Sequence, residues 1–236
     1  MLKDKVAIIT GGSKGIGFGI AKAFLAEGMN VAITSRSQES ADEAAKNLSD
    51  DPDRVLGIAS DVRNFESEQN VVQKVLDKWG KVDAMIANAG LGHFAPIQDM
   101  THQQWNDVID INLTGVFNST KASLDALAES KGYLITIASL AGTNFFPAGA
   151  AYNASKFGLV GFTQAVMLDV RQLGIKVTTI MPGSVATHFN NNEPSEKDAW
   201  KIQPEDIGKL CVDLLTMPAR SLPSKIEIRP SMPPKK

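Results

Sequence analysis

Two residues in one stretch of the chain have the types and spacing to move a proton. Tyr152 and Lys156 lie four apart in a segment of helical periodicity, and positions i and i+4 share a helix face. A phenol with a pKa of about 10 is a poor acid or base near neutrality, but an ammonium fixed close by favours its ionised form. Ser139 follows a Val/Ile-rich run and would fall near the same point, where its hydroxyl could hold a substrate oxygen. Tyr and Lys at this spacing also occur by chance on surface helices, so the weight rests on the other motifs.

The first of these is a glycine turn, Thr10-Gly11-Gly12-Ser13-Lys14-Gly15-Ile16-Gly17, placed after the first apolar run and before a helical one. Such a turn lets backbone approach a pyrophosphate, and a helix N-terminus offers free N–H groups with a partial positive charge. Its spacing differs from G-x-G-x-x-G, and it lacks the Lys-Ser/Thr pair of a P-loop, which disfavours ATP or GTP. A plain tight turn is the alternative. An NAD site usually carries an acid about 20 residues beyond the glycines. This chain reads Thr34-Ser35-Arg36 instead. Arg36 can fork onto a 2′-phosphate with Lys14 approaching from the other side, so NADP(H) is favoured over NAD(H). The rival view makes both cations solvated and gives the acid's role to Glu39, although the helix dipole alone explains an acid there. Further along, Asp61 could accept from an adenine amino group and Val62 pack against its ring. Asn88, Ala89 and Gly90 would pass beside the ribose.

These groups converge only if the chain winds in a particular way. Val/Ile-rich runs at 5–10, 30–34, 55–59, 82–87, 133–138, 176–180 and 225–228 read as strands. Between them lie amphipathic segments, one from Ile16 to Glu27 before Gly28, one from Glu66 to Trp79 before Gly80, and one from Tyr152 to about Gly174. Alternating buried strands and crossover helices predict a doubly wound α/β sheet, with ligands held beyond the carboxyl ends of the strands. A length of 236 residues without an internal linker suits one domain spanning 1–236.

Composition excludes several classes. A net charge of -2 and a basic tail limited to Lys235-Lys236 give no patch for nucleic acid or a membrane surface. Cys211 is the only cysteine, so no intramolecular disulfide framework or Cys-based metal site is expected and the cytoplasm is the default compartment. The N-terminus leaves no room for a signal peptide before the glycine turn, and no apolar run approaches the roughly 20 residues that span a bilayer.

The glycine turn, Asn88-Ala89-Gly90, Asn112, Ser139 and Tyr152-x-x-x-Lys156, in this order, resemble the short-chain dehydrogenase/reductase family. The resemblance runs from Thr10 to Thr187 and implies a single-domain Rossmann fold, a doubly wound parallel sheet of about seven strands with helices on both faces. It implies a catalytic set in which Tyr152 is the acid/base and Ser139 steadies the carbonyl oxygen. Lys156 binds the nicotinamide ribose and lowers the tyrosine pKa, while Asn112 holds a water. Pro182, Gly183, Val185 and Thr187 match the segment at the nicotinamide end, and with Gly11, Ser13, Lys14, Gly15, Ile16 and Gly17 they complete the expected cofactor site. No metal is expected.

The expected reaction is NADPH-dependent reduction of a carbonyl to an alcohol, with a 3-oxoacyl thioester or a general ketone or aldehyde as substrate. An NAD-linked alcohol or sugar dehydrogenase and a non-catalytic cofactor sensor are the alternatives. The C-terminus departs from the family's usual glycine-rich ending, and 230–236 is a Pro-rich tail. Segment 187–203 reads as a short polar substrate lid over an open, permissive site. Leu91, His93, Phe94, Leu140, Phe145, Phe146, Phe189 and Trp200 are candidates for an apolar pocket wall suited to an uncharged carbonyl compound. His93 could instead be solvated or structural. The helical segments 112–127 and 152–174 would pack across the axis of a homodimer or homotetramer.

Overall fold

In the computed structural model, residues 2–232 are described. Seven strands form one parallel sheet: β1 (Val6–Ile9), β2 (Asn30–Ser35), β3 (Val55–Ala59), β4 (Ala84–Ala87), β5 (Tyr133–Ile137), β6 (Lys176–Pro182) and β7 (Lys225–Ile228). Their order across the sheet is β3-β2-β1-β4-β5-β6-β7, so the winding reverses between β1 and β4. Loops at a reversal diverge to opposite faces and leave a crevice. Strand limits differ from the sequence expectation by up to two residues, because hydrogen-bond pairing rather than hydrophobicity sets where a ladder ends.

The sheet is buried on both faces because β1 reads Val-Ala-Ile-Ile without a polar residue. Ala7 and Ile9 face one core with Ile20 and Phe24 of α1 (Gly15–Ala26) and with Ile207, Cys211 and Leu214 of α7 (Pro204–Thr216). Val6 and Ile8 face the other, with Val71, Val72 and Val75 of α3 (Phe65–Trp79) and Leu127 of α5 (Gly115–Ser130). The strand period of two sorts one run into two cores. α1 and α7 cross at near backbone contact, since a Cβ on Gly19 would stand 2.6 Å from the Pro204 carbonyl.

Helix ends follow local chemistry. Ser37 caps α2 (Gln38–Leu48), Asn64 caps α3, and Thr101 with Gln104 forms a capping box on α4 (His102–Ile109). Glu39 does sit in the first turn of α2. α1 differs: its N-cap, Lys14, gives no side-chain hydrogen bond to the first turn. α4 and α5 run on through a π-helical turn, Asp110–Thr114. The segment expected from 152 to 174 is α6 (Ala150–Val170), finished by a 3-10 turn and by Gly174 with φ of 82°.

Among the buried polar groups is a carboxyl without a basic partner. Glu68 of α3 is 1% exposed, and its two carboxylate oxygens accept from Ser60 and Ser119 hydroxyls, each at 2.6 Å. Burial pushes its carboxyl above the usual range, opposed by the two hydroxyls. A carboxyl whose folded pKa is raised takes up protons on folding, so stability is greatest below the unfolded value and falls as pH rises through the folded one. Urea midpoints should therefore fall across this window in the wild type and fall less in Glu68→Gln. Equal pH slopes for the two proteins would show that Glu68 carries no such linkage.

Candidate active site

The carboxyl ends of β1, β4, β5 and β6 bring most of the expected residues to one crevice. Thr10 follows β1 and accepts at Oγ1 from the backbone N–H groups of Asn88 (3.0 Å) and Ala89 (3.1 Å). Asn88 returns the tie, donating from Nδ2 to the Thr10 carbonyl at 2.8 Å and the Gly11 carbonyl at 3.1 Å. The Gly11 N–H donates to Thr34 Oγ1 at 3.3 Å. The glycine turn is thus held from β2 and β4 together. Gly11 and Gly15 have φ of 62° and 59°, which a side chain would strain. A Cβ on Gly17 would sit 2.6 Å from Asn88 Nδ2, and one on Gly15 would come within 3.3 Å of Thr187 Cγ2. Ser13 and Ile16 are partly buried in this turn.

This turn fits a dinucleotide's pyrophosphate. The uncapped first turn of α1 leaves N–H donors without side-chain partners, and the narrow gap between Gly15 and Thr187 is one that a side chain would fill. In the loop after β3, expected to meet the adenine, Val62 is buried against Gly115 of α5, where a Cβ would lie 2.6 Å from its Cγ2. Asn118 of α5 donates to the carbonyls of Val62 at 2.8 Å and Arg63 at 3.1 Å. Asp61 is gripped by Arg63, whose Nε lies 3.0 Å from both carboxylate oxygens. The Arg63 hydrogen bond chiefly holds its carboxyl below the usual range, and the positive charge of Arg36 adds to the effect. Arg36 and Lys14 are both exposed, and neither forms a salt bridge among the described residues.

The four residues expected at the reacting centre also meet. Asn112 lies in the π turn, fully buried; its Oδ1 accepts from the Leu91 N–H at 2.9 Å, and its Nδ2 donates to the Leu91 carbonyl at 2.8 Å and Ser155 Oγ at 3.1 Å. It braces the loop after β4 against α6. Lys156 is 4% exposed and donates from Nζ to the Ile137 carbonyl at 3.0 Å. Burial pulls its pKa down to about 8. Nζ stands 5.7 Å from the centroid of the Tyr152 ring, and Gly90 passes beside both Lys156 and Asn112.

Ser139 starts the turn after β5, accepts from the Ala141 N–H at 3.1 Å, and interacts with the Tyr152 phenol. Burial raises the tyrosine pKa, and the Ser139 hydrogen bond is what opposes it. The expectation that Lys156 lowers the phenol pKa is thus not met in this geometry. The ammonium faces a carbonyl and the side of the ring, and desolvation acts against the charged form of both groups.

The remaining candidates divide. Pro182 ends β6, Gly183 donates to the Ile228 carbonyl at 2.8 Å, and Val185 pairs with Ile202 in an isolated bridge. That bridge closes the base of an excursion that includes short 3-10 turns at Phe189–Asn191 and Glu196–Asp198. Phe94 and Phe189 pair with the Tyr152 ring and Phe146 packs on Phe94, so half-exposed rings line the mouth of the site. Leu91 flanks Asn112, Leu140 lies against Gly183, and Trp200 has Lys201 over its ring. Phe145 instead stacks on Phe157 and is 83% exposed, and His93 turns to Asp107 at 4.0 Å. Of the Pro-rich tail, Pro230 packs near Gly183, and residues 233–236 lie outside the described residues.

Sequence reasoning named Thr10 and Thr34 within their motifs without a role and missed Arg63 and Asn118, which hold the loop after β3. Their partners come from other strands and helices or from a loop conformation, and no periodicity marks them. Among the described residues no cluster of three or more His, Cys, Asp or Glu side chains could hold a metal, and no helix is long and apolar enough to cross a membrane.

Known proteins share this fold. The sequence model for short chain dehydrogenases matches residues 5–198. A 3-oxoacyl-[acyl-carrier-protein] reductase of Chlamydia muridarum is 35% identical over 203 residues, which is 85% of this chain and 82% of that protein. The solved alcohol dehydrogenase of the archaeon Thermococcus sibiricus, complexed with 5-hydroxy-NADP, superposes with a TM-score of 0.91 at 28% identity, covering 99% of this chain and 100% of that one. The 3-ketoacyl-(acyl-carrier-protein) reductase of Brucella melitensis, complexed with NADH, gives 0.88 at 25% identity, with 98% and 99% covered. The chain belongs to the short-chain dehydrogenase family and is an NAD(P)-dependent oxidoreductase acting on CH-OH and C=O groups.

Proposed function

We propose that this protein reduces a carbonyl compound to an alcohol with NADPH, and that Tyr152 donates the proton. The observation that carries the reading is the convergence of Ser139, Tyr152 and Lys156 beside the β1/β4 crevice. The bound dinucleotide supplies the hydride. The chain's own residues do the rest: Ser139 and Tyr152 hold the carbonyl oxygen, and the phenol gives up its proton as negative charge develops there. A phenol kept neutral by burial is the form a reductase needs. Lys156, with a pKa of about 8, stays largely charged at neutral pH, where it can hold the nicotinamide ribose. Gly11 to Gly17 and Thr187 hold the pyrophosphate, and Asp61, Val62 and Asn88 to Gly90 flank the adenosine. Asn112 braces Leu91 and can share a water with Lys156. Pro182, Gly183 and Val185 form the floor under the nicotinamide, and 187–203 acts as the substrate lid.

NADP(H) is preferred because Arg36 and Lys14 are exposed cations without acidic partners at the mouth of the adenosine site, so a 2′-phosphate meets both. Glu39 lies on the first turn of α2 and its charge is satisfied by the helix dipole. A homodimer or homotetramer is supported by an apolar face on α5 and α6, where Phe117, Phe157 and Leu168 are each at least 41% exposed. A small uncharged carbonyl compound is the partner, and the cytoplasm the compartment. An NAD-linked alcohol or sugar dehydrogenase is the rival, favoured by nothing in the adenosine site; a non-catalytic sensor has no use for the converging triad.

Tyr152→Phe should lower kcat by about 10²- to 10⁴-fold, the usual worth of a positioned proton donor, with NADPH affinity unchanged. Retention of most turnover would remove the proton role. Arg36→Ala should weaken NADPH binding about tenfold, the loss of one charge-assisted contact, and leave NADH binding unchanged. Fluorescence titration with both cofactors checks this; equal losses would assign Arg36 no part in phosphate recognition. The reductive kcat/KM should be level below pH 8 and decline above it as Lys156 loses its proton, with Lys156→Arg moving the decline upward. A profile unaltered by that substitution would place the titrating group elsewhere.

A further inference from the structure

Two phenylalanines from separate loops pair with the Tyr152 ring, and a third from another loop packs on one of them. Phe94, after β4, meets it edge-on with centroids 5.4 Å apart and planes at 62°. Phe189, from the excursion after β6, meets it at 5.7 Å and 54°. Phe146, after β5, lies 5.9 Å from Phe94, and Phe94 and Phe189 face each other edge-on at 6.4 Å. These rings are not core: Phe94, Phe146 and Phe189 are 38%, 43% and 39% exposed. They are a half-open apolar mouth directly over the phenol.

The backbone is built to keep them there. A Cβ on Gly92 would lie 2.8 Å from both Phe189 and Phe94, so only a glycine lets the two rings come together. The Ala95 N–H donates to the Ala148 carbonyl at 3.0 Å, joining the Phe94 loop to the Phe146 loop. Thr187 Oγ1 accepts from the Phe189 N–H at 3.3 Å, and Asn192 Nδ2 donates to the Thr187 carbonyl at 2.9 Å. Charged groups nearby are turned elsewhere. His93 faces Asp107, Asp198 is bound to Lys201 at 2.6 Å, and Lys156 donates to Ile137 on the inner side of Tyr152. His93 and Lys201 are thus occupied by acids and Lys156 by a backbone carbonyl, so none of these three is free to take a substrate carboxylate or phosphate.

We infer that Phe94, Phe146 and Phe189 form an aromatic clamp that selects an aryl ketone or aryl aldehyde. This deepens the reductase reading above and rests on it. The aryl group inserts between Phe94 and Phe189, replacing their mutual edge-to-face contact with one contact to each. Its carbonyl then points at Ser139 and Tyr152. The carbonyl carbon gains a hydride from the reduced dinucleotide, the C=O π pair moves onto oxygen, and the Tyr152 phenol supplies the proton. Solvent returns a proton to the tyrosinate. Oriented ring pairs are favoured beyond the area they bury, so an aryl guest should outrank a saturated ring of equal size.

The test compares methyl phenyl ketone with methyl cyclohexyl ketone as substrates, and the unreactive pair benzamide and cyclohexanecarboxamide as ligands in calorimetry on the NADP-loaded protein. Wild type should favour the aryl member about tenfold in both kcat/KM and affinity, which is the converted worth of an oriented ring pair. Phe94→Leu and Phe189→Leu keep apolar volume but lose the ring, and each should cut both preferences severalfold. No aryl preference in wild type, or a preference that survives both substitutions, overturns the clamp. Absence of reduction for every carbonyl compound overturns the reductase reading instead, while the amide affinities still decide the clamp by themselves.

Discussion

The tie between Thr10 and Asn88 is the constraint on which the crevice depends. Four hydrogen bonds between two adjacent loops fix the first glycine turn against the end of β4, at the one place in the sheet where the winding reverses. Each is worth about 1 kcal/mol net, but leaving any of these buried groups unpaired would cost more than that. A side chain on Gly17 would collide with the Asn88 amide. The glycine pattern therefore serves the protein's internal contacts as much as the approach of a phosphate.

Desolvation sets the chemistry of the ionisable groups more than charge pairing does. Burial moves Lys156 down and Tyr152 up, so both are pushed towards their neutral forms. For a reductase this has a useful sense, because the phenol must hold its proton until the carbonyl oxygen demands it. Glu68 obeys the same rule on the other side of the cofactor crevice, where two serine hydroxyls stand in for a counter-ion. That cluster joins β3, α3 and α5, and Asn118 on α5 holds the Val62 loop, so one helix ties the adenine side of the crevice to the exposed face proposed for self-association.

The π turn links these two regions to the reacting centre. It puts Asn112 inside the protein, where its amide bonds to Leu91 and Ser155, and it lets α4 and α5 continue as one rod. π turns are rare and recur at functional sites because they redirect one side chain without ending the helix. The loop braced by Asn112 is the same one that carries Gly92 and Phe94 to the mouth. The β1/β4 crevice and the ring-lined mouth therefore share a support.

Much of this was readable in the chain itself. Alternating Val/Ile runs and amphipathic segments determine a parallel sheet with helices on both faces, because those patterns have only a few ways to bury themselves. Local spacing likewise determines the glycine turn and places Tyr152 and Lys156 on one face of α6. Residue types alone could not say that Lys156 would point at the Ile137 carbonyl and leave the phenol to Ser139, since burial and direction arise from the packed sheet. Nor could they separate Phe146, which joins the mouth, from its neighbour Phe145, which stacks away on Phe157. The sequence by itself determined the architecture and the set of reactive residues, which depend on periodicity and short-range spacing. Only the tertiary structure decided their protonation bias and which rings guard them, because desolvation and ring contacts are made between segments far apart in the chain.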